Sequence, residues 1–433
     1  MRKKLIINGV LCICLTLSTI APIQAQQAFS VKEVEETLTK LSANELRGRQ
    51  AFSPEILEAA AIVSGGFKSA GLKEVPGGPN FLQEFNMVRS SIKMVKEARV
   101  ADETIPAEKL ICQCNDQNIK ISQGAGYEII RVAKGENAMA AFRNLRGKTG
   151  NILVLLDESN EPFFKRVKQN NGPRMKGTNN IVFALVKNPA AESFAIELET
   201  EQQNIPMANV VGMLPGKSKA DEYVIFSGHY DHIGVGKPDD KGDSIYNGAN
   251  DDASGTTAVM MLAKHFAQSG GNERTIIFAA FTAEEVGGFG SQYFSKQFDP
   301  ARVIAMFNIE MIGTDSKWGA NSAYITGFEK TNMGEILQKN LEGTGFQFYP
   351  DPYPQQQLFY RSDNANLARL GVPAHTISTS KMDNEPHYHK QSDEVATLDT
   401  KNMTEIIKAI ALSSASIVQG KDTPTRVDAT QLR

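Results

Sequence analysis

From residue 209 onward, short apolar runs alternate with segments whose apolar residues recur at helical spacing. That alternation restricts the chain to an α/β fold, a sheet with helices packed against it. Val224-Ile225-Phe226-Ser227, the run from Thr275 to Phe281 and the run from Val303 to Phe307 read as strands. Thr256 to Phe266 and Ser291 to Phe298 read as helices, the theme returns after Leu358, and Met403 to Val418 reads as a closing helix. Earlier, Ser53-Pro54 opens a helical pattern that runs through Glu55 to Phe67 and stops by Gly71. Residues 95–204 have another texture, with β-like runs at Ile152–Leu156 and Ile181–Val186 between polar turns.

The balance of 46 Lys+Arg against 49 Asp+Glu, with 41% hydrophobic residues, is that of a globular chain with a buried core. It leaves no excess positive charge for a nucleic-acid backbone. Arg2, Lys3 and Lys4 precede an apolar run from Leu5 to Ile20 and an Ala21-Pro22-Ile23-Gln24-Ala25 cleavage pattern. Residues 1–25 therefore read as a signal peptide, which implies export to the periplasm or the extracellular space. No later stretch is long and apolar enough to span a bilayer. Cys112 and Cys114 then remain as a Cys-Gln-Cys pair, a tight disulfide or two thiols, and neither makes a zinc cage.

All six histidines lie at or beyond position 229. His229 and Asp231 follow the Val224 strand, where open α/β sheets gather functional groups. Asn250-Asp251-Asp252-Ala253-Ser254-Gly255 opens a helix with more acids than an N-cap needs. Glu284 and Glu285 leave the Thr275 strand side by side, and Glu310 ends an otherwise apolar strand. Buried unpaired, such carboxylates would be costly, and a cation would compensate them. Glu385-Pro386-His387-Tyr388-His389 supplies the last imidazoles. His, Asp, Glu, Glu and His at successive strand ends suit zinc, singly or as a pair sharing a carboxylate. No HExxH, GxSxG or Walker-type pattern competes.

Gly228-His229-Tyr230-Asp231, Gly248 to Gly255, Ala283-Glu284-Glu285 and Tyr388-His389 together resemble metallopeptidase family M28. The likeness runs in order from about residue 205 to the end and includes the Leu41 to Arg49 segment. It implies a three-layer α/β/α zinc-exopeptidase-like sandwich around a mixed sheet, formed by residues 26–94 and 205–433. Residues 95–204 stand where many members carry a smaller, β-rich protease-associated domain, and Leu145-Arg146-Gly147-Lys148 is similar to part of it.

The resemblance also implies roles. His229 would bind one Zn2+, with Asp231 orienting it, and Asp251 would bridge two, its peptide to Asp252 being cis. Glu285 and His389 would complete the second, with His389 preferred over His387. Glu310 stands beside the first zinc where the family usually has Asp. Glu284 would be the general base, and Tyr388 a donor to the oxyanion. Asn364 and Gln391 depart from the common pattern, and His232, His265 and His375 read as structural. The implied activity is a secreted aminopeptidase acting on peptides with a free N-terminus. The alternatives are a carboxypeptidase, a dipeptidase, a one-zinc cyclase or a non-catalytic binding module on the same fold. The full ligand set argues against the last two.

Overall fold

The computed structural model describes residues 29–432 except 76, 77, 144, 146, 147 and 178. The leader read at 1–25 and the Arg146-Gly147 pair lie outside the described residues. The fold is mixed α/β, built on a large mixed sheet of twelve strands. Its middle is parallel: Lys219–His229 lies between Arg274–Phe281 and Val303–Ile309, and the latter pairs in turn with Ala374–Ser378. Phe194–Leu214 joins the other side antiparallel to Arg274–Phe281.

Alternation along these buried strands divides their side chains between two cores, because successive residues face opposite sides of a sheet. Val224, Phe226, Ile276, Phe278 and Phe307 face one core, together with the helices Val31–Leu41, Glu55–Ser69, Gly255–Ser269 and Thr400–Val418. Ile225, Ile277, Ala279, Phe281 and Met306 face the other, against Phe294 and Leu367 from the short helices Phe289–Phe294 and Asn364–Ala368. The sheet is thus covered on both faces, as parallel sheets require. Val34, Leu38 and Leu41 recur at helical spacing and make the buried stripe of the first helix. Phe226 stacks on Phe266, Phe278 and Phe307 with centroids 4.9–5.7 Å apart, which ties helix to sheet at the centre.

A second, four-stranded sheet runs in the order Leu110–Gln113, Ile181–Val186, Asn151–Asp157, Tyr127–Val132. Ile152, Val154, Leu156, Phe183 and Leu185 pack against Phe164 and Val167 of the helix Glu161–Gln169. Leu153, Leu155, Val182 and Ala184 pack instead against Ala98, Val100, Ile196 and Leu198. Those last four belong to Leu82–Val100 and Phe194–Leu214, two long strands paired with each other almost end to end. Positions 95 and 204 fall inside these strands. Cys112 and Cys114 form a disulfide. Among the described residues no helix is long and apolar enough to cross a membrane.

His375 is held inside the sheet, its Nδ1 2.8 Å from the Thr326 carbonyl and its Nε2 2.8 Å from Thr331 Oγ1. Burial lowers its pKa from 6.5 to about 4. Above pH 6.5 both folded and unfolded chains carry it neutral. As the pH falls the unfolded chain binds the proton first, so stability present above 6.5 is lost as the pH drops through about 4. The loss from this one group is about 3 kcal/mol. Urea unfolding of wild type and His375→Gln between pH 7 and 4 is expected to show a pH dependence flatter in the variant by that amount. Equal slopes would refute it.

Candidate metal centre and active site

The site lies beyond the carboxyl ends of the parallel strands. His229 is the last residue of its strand, Glu284 and Glu285 follow Phe281 after a turn, and Glu310 follows Ile309. Ala283 sits at φ +60° and Met311 at +53°, so the chain turns sharply at both strand exits. The fourth contributor is the loop Ala249–Ser254 before the helix Gly255–Ser269, in which the Asp251–Asp252 peptide is cis.

This loop is fastened from several sides. Asp393 accepts the N–H of Asn250 at 2.8 Å and of Asp251 at 3.0 Å. Arg49, wholly buried, donates to the carbonyls of Asn247, Gly248 and Asp251. Asp252 accepts the N–H groups of His229 (3.1 Å), Gly255 (3.0 Å) and Met311 (3.0 Å), tying three strand or helix ends together. Gly255 is required here: a Cβ would strike the Ile309 carbonyl and the Asp252 carboxylate. Gly248, at φ +57°, would meet the Asp251 carbonyl and the His232 ring.

Within that frame two donor sets form, and both use Asp251. His229, Asp251 and Glu310 bring one ligand atom each within 4.8 Å of one another, and so do His232, Asp251 and Glu285. His229 Nε2 is 3.2 Å from Asp251 Oδ1, and His389 Nε2 is 3.2 Å from both Asp251 Oδ2 and Glu285 Oε2. His389 therefore joins the second set, while His387 turns to Ser392 Oγ at 3.0 Å.

Asp231 departs from its expected role. Its carboxylate is 3.7 Å from His229 Nδ1, too far for a hydrogen bond, and instead accepts the N–H groups of Glu284 (3.0 Å) and Glu285 (3.4 Å). The backbone carbonyl of Asp231 is what meets His229 Nδ1, at 3.1 Å. A carbonyl only accepts, so Nδ1 carries a proton, and Nε2, facing Asp251, is the nitrogen left to meet a cation. The separation of two residues does mark a local partnership, but the backbone carries it and the side chain reaches elsewhere.

His232 also departs from expectation. Read as structural, it lies fully buried with Nδ1 2.7 Å from Glu285 Oε1. Asn364, which stands in place of a common histidine, belongs to the scaffold. It donates to the carbonyls of Phe359 (3.1 Å) and Ala374 (3.2 Å) and accepts from Thr376 Oγ1 (2.9 Å). Gln391 donates to the Lys237 carbonyl at 2.8 Å.

Electrostatically the site is a concentration of buried acid. Burial raises the pKa of Glu284 well above the carboxylate range, with Glu310, Asp363 and Glu285 adding to it. Glu310 is pushed up to about 7 and Asp363 to about 6, again chiefly by burial. Burial lowers the pKa of the Arg49 guanidinium, and the charges of Asp393 and Asp251 oppose that. Glu310 Oε2, Glu285 Oε1 and both ring nitrogens of His232 are buried without a hydrogen-bond partner. Orphaned oxygens and nitrogens converging at this density fit a divalent cation, and the mixed N/O set fits zinc. Beside Glu310 opens a cleft lined by Met311, Tyr324, Leu358, Met382 and Tyr388. Tyr388 stacks on His389 with centroids 3.9 Å apart, which sets its ring between cleft and donor atoms.

The sequence profile of Peptidase family M28 matches residues 209–414, the span that holds every one of these donors. This segment belongs to peptidase family M28. The chain is 27% identical over 237 residues to leucine aminopeptidase 1 of Emericella nidulans, covering 52% of this chain and 60% of that protein. It is 30% identical over 217 residues to leucine aminopeptidase 1 of Ajellomyces dermatitidis, covering 46% and 53%. The chain thus spans a little over half the length of the curated relatives it matches. The likeness in fold extends further than the likeness in sequence. The structure of BSAP, a zinc aminopeptidase from Bacillus subtilis, aligns with a TM-score of 0.54 at 16% identity, covering 91% of this chain and 97% of that one.

Sequence reasoning missed His232, Arg49 and Asp252 as parts of this centre. Arg49 had a signal of sorts, since it closes the Leu41 to Arg49 segment that shares the family resemblance.

Proposed function

We propose that the chain is a zinc-dependent aminopeptidase holding two zinc ions. The observation that carries the reading is the pair of donor sets sharing Asp251, with the Glu284 carboxylate beside them and outside both. His229 and Glu310 would hold one ion, Glu285 and His389 the other, and Asp251 both. When bound, the pair would supply a water activated near neutral pH and polarisation of the scissile carbonyl.

The remaining work falls to the chain itself. Glu284 takes the proton of the attacking water and returns it to the departing amine, a task open to a carboxylate that stands beside both donor sets and belongs to neither. The Tyr388 hydroxyl, at the edge of the cleft, donates to the oxygen that gains charge as the carbonyl carbon becomes tetrahedral. Asp231 fixes the Glu284–Glu285 backbone through two N–H bonds, so base and ligand keep their separation. The substrate in this reading is a peptide with a free α-amino group, a cation drawn to an acid-rich site. Export through a leader at residues 1–25, to the periplasm or beyond, is part of the same proposal.

Hydrolysis of leucyl-p-nitroanilide and of its N-acetyl form tests the reading. Cleavage of the free-amine substrate alone, with about two zinc ions per chain by elemental analysis, is expected. Cleavage of the acetylated substrate at a comparable rate would overturn the aminopeptidase assignment, and absence of bound zinc would overturn the metallopeptidase one.

A further inference from the structure

We infer that His232 is an additional protein ligand of the second ion, so that this position is closed by four side chains while the first is left open. The inference rests on the metallopeptidase reading above. His232 follows the strand exit by three residues, and its own backbone is pinned, its N–H donating to the Arg49 carbonyl at 3.3 Å. Its side chain is fully buried. Nδ1 lies 2.7 Å from Glu285 Oε1, yet neither ring nitrogen nor that oxygen has a hydrogen-bond partner, because the two are not aligned for one. Close, buried, unaligned donor atoms are the arrangement that a shared cation imposes, since ligands point at the ion rather than at one another. The His232 and His389 rings stand edge to face with centroids 5.8 Å apart, on either side of Glu285. The second set then comprises two imidazoles, Glu285 and the shared Asp251.

Four protein donors in a mixed N/O set satisfy the tetrahedral preference of zinc, as in sites that hold the metal structurally. His229, Glu310 and Asp251 give the first position three, which leaves room for water or substrate. The two ions should therefore differ in affinity, with the second filled first and lost last. A merely positioning histidine would instead donate Nδ1–H to Glu285. The carboxamide introduced by His232→Asn can still make such a bond, but it is a poor zinc ligand.

Zinc binding is measured by chelator competition on wild type, His232→Ala and His232→Asn, with fold checked by circular dichroism. Wild type is expected to bind two ions of unequal affinity. Both variants are expected to lose at least tenfold in the tighter step, with Asn no better than Ala. Equal binding in wild type and both variants, or full rescue by Asn, would overturn the inference and leave the two-zinc reading standing. Failure of wild type to bind two ions would overturn that reading itself. If either variant does not fold, the unmutated protein decides. Its cobalt-substituted form is expected to show three hyperfine-shifted imidazole N–H signals by NMR, and two would refute ligation by His232.

Discussion

Replacing Glu284 with Gln is expected to lower kcat on leucyl-p-nitroanilide by about 10²- to 10⁴-fold, the range that a positioned general base contributes. Gln keeps the size and the polar end of the side chain but cannot accept a proton. The Glu284 N–H bond to Asp231 Oδ1, at 3.0 Å, is a backbone contact and survives the change. Glu284 is outside both donor sets, so about two zinc ions should remain bound. KM should move little, because what is lost is felt as the proton transfers rather than on binding. Elemental analysis and steady-state kinetics on the same preparation decide the matter. Loss of zinc along with activity would make Glu284 a ligand, and activity within tenfold of wild type would remove it from the mechanism.

The second large effect is expected far away in sequence. Arg49→Met should cost about 3–5 kcal/mol of stability in the metal-free protein and weaken zinc binding about 10- to 100-fold. Its guanidinium serves three carbonyls of the loop that carries Asp251, and burial means that no water replaces the lost donors. The removed charge also stood opposite Asp393, whose carboxylate holds the other side of the same loop. Arg49→Lys should recover only part of the loss, because one ammonium nitrogen cannot span the carbonyls that two separate guanidinium nitrogens reach. Urea unfolding after metal removal, and chelator competition before it, measure the two effects separately. A variant within 1 kcal/mol of wild type would show that Asp393 alone suffices.

Much of this centre was legible along the chain. His229, Glu285 and Glu310 stand next to strand ends whose apolar runs are unmistakable, such as Arg274–Phe281, buried at every position, and Asp251 stands among the acids that lead into the helix Gly255–Ser269. Charge at the end of such a run is expensive enough to be noticed. His232 was not legible, because its neighbour Glu285 comes from another strand and nothing local marks the pairing. Arg49 was obscured for the same reason, its acceptors lying about two hundred residues away. In the fold, Leu82–Val100 and Phe194–Leu214 escaped notice as long strands. Both have exposed central stretches, with Lys93, Lys96, Glu201 and Gln203 among them, so the apolar signal fades where neither core is near. The helix Glu55–Ser69 was plain despite Gly65 and Gly66, since Ile56, Ala59, Ala60, Val63 and Phe67 keep its buried stripe intact.

Those two strands decide what the smaller sheet is to the larger one. Phe194–Leu214 pairs with Asn118–Ser122 near one end and with Arg274–Phe281 near the other, and Leu82–Val100 accompanies it between. A two-stranded girder of this kind is stiff along its length, unlike a peptide tether, and any tilt at one end is delivered to the other through shared backbone bonds. The outer end carries the disulfide-bearing sheet, and the inner end abuts the strand that delivers Glu284 and Glu285. A macromolecule grasping the outer sheet would therefore hold a handle fixed to the strand that leads into the donor site. Deleting residues 101–193 would leave two bare arms projecting into solvent, with unsatisfied edges ready to pair with a neighbouring chain.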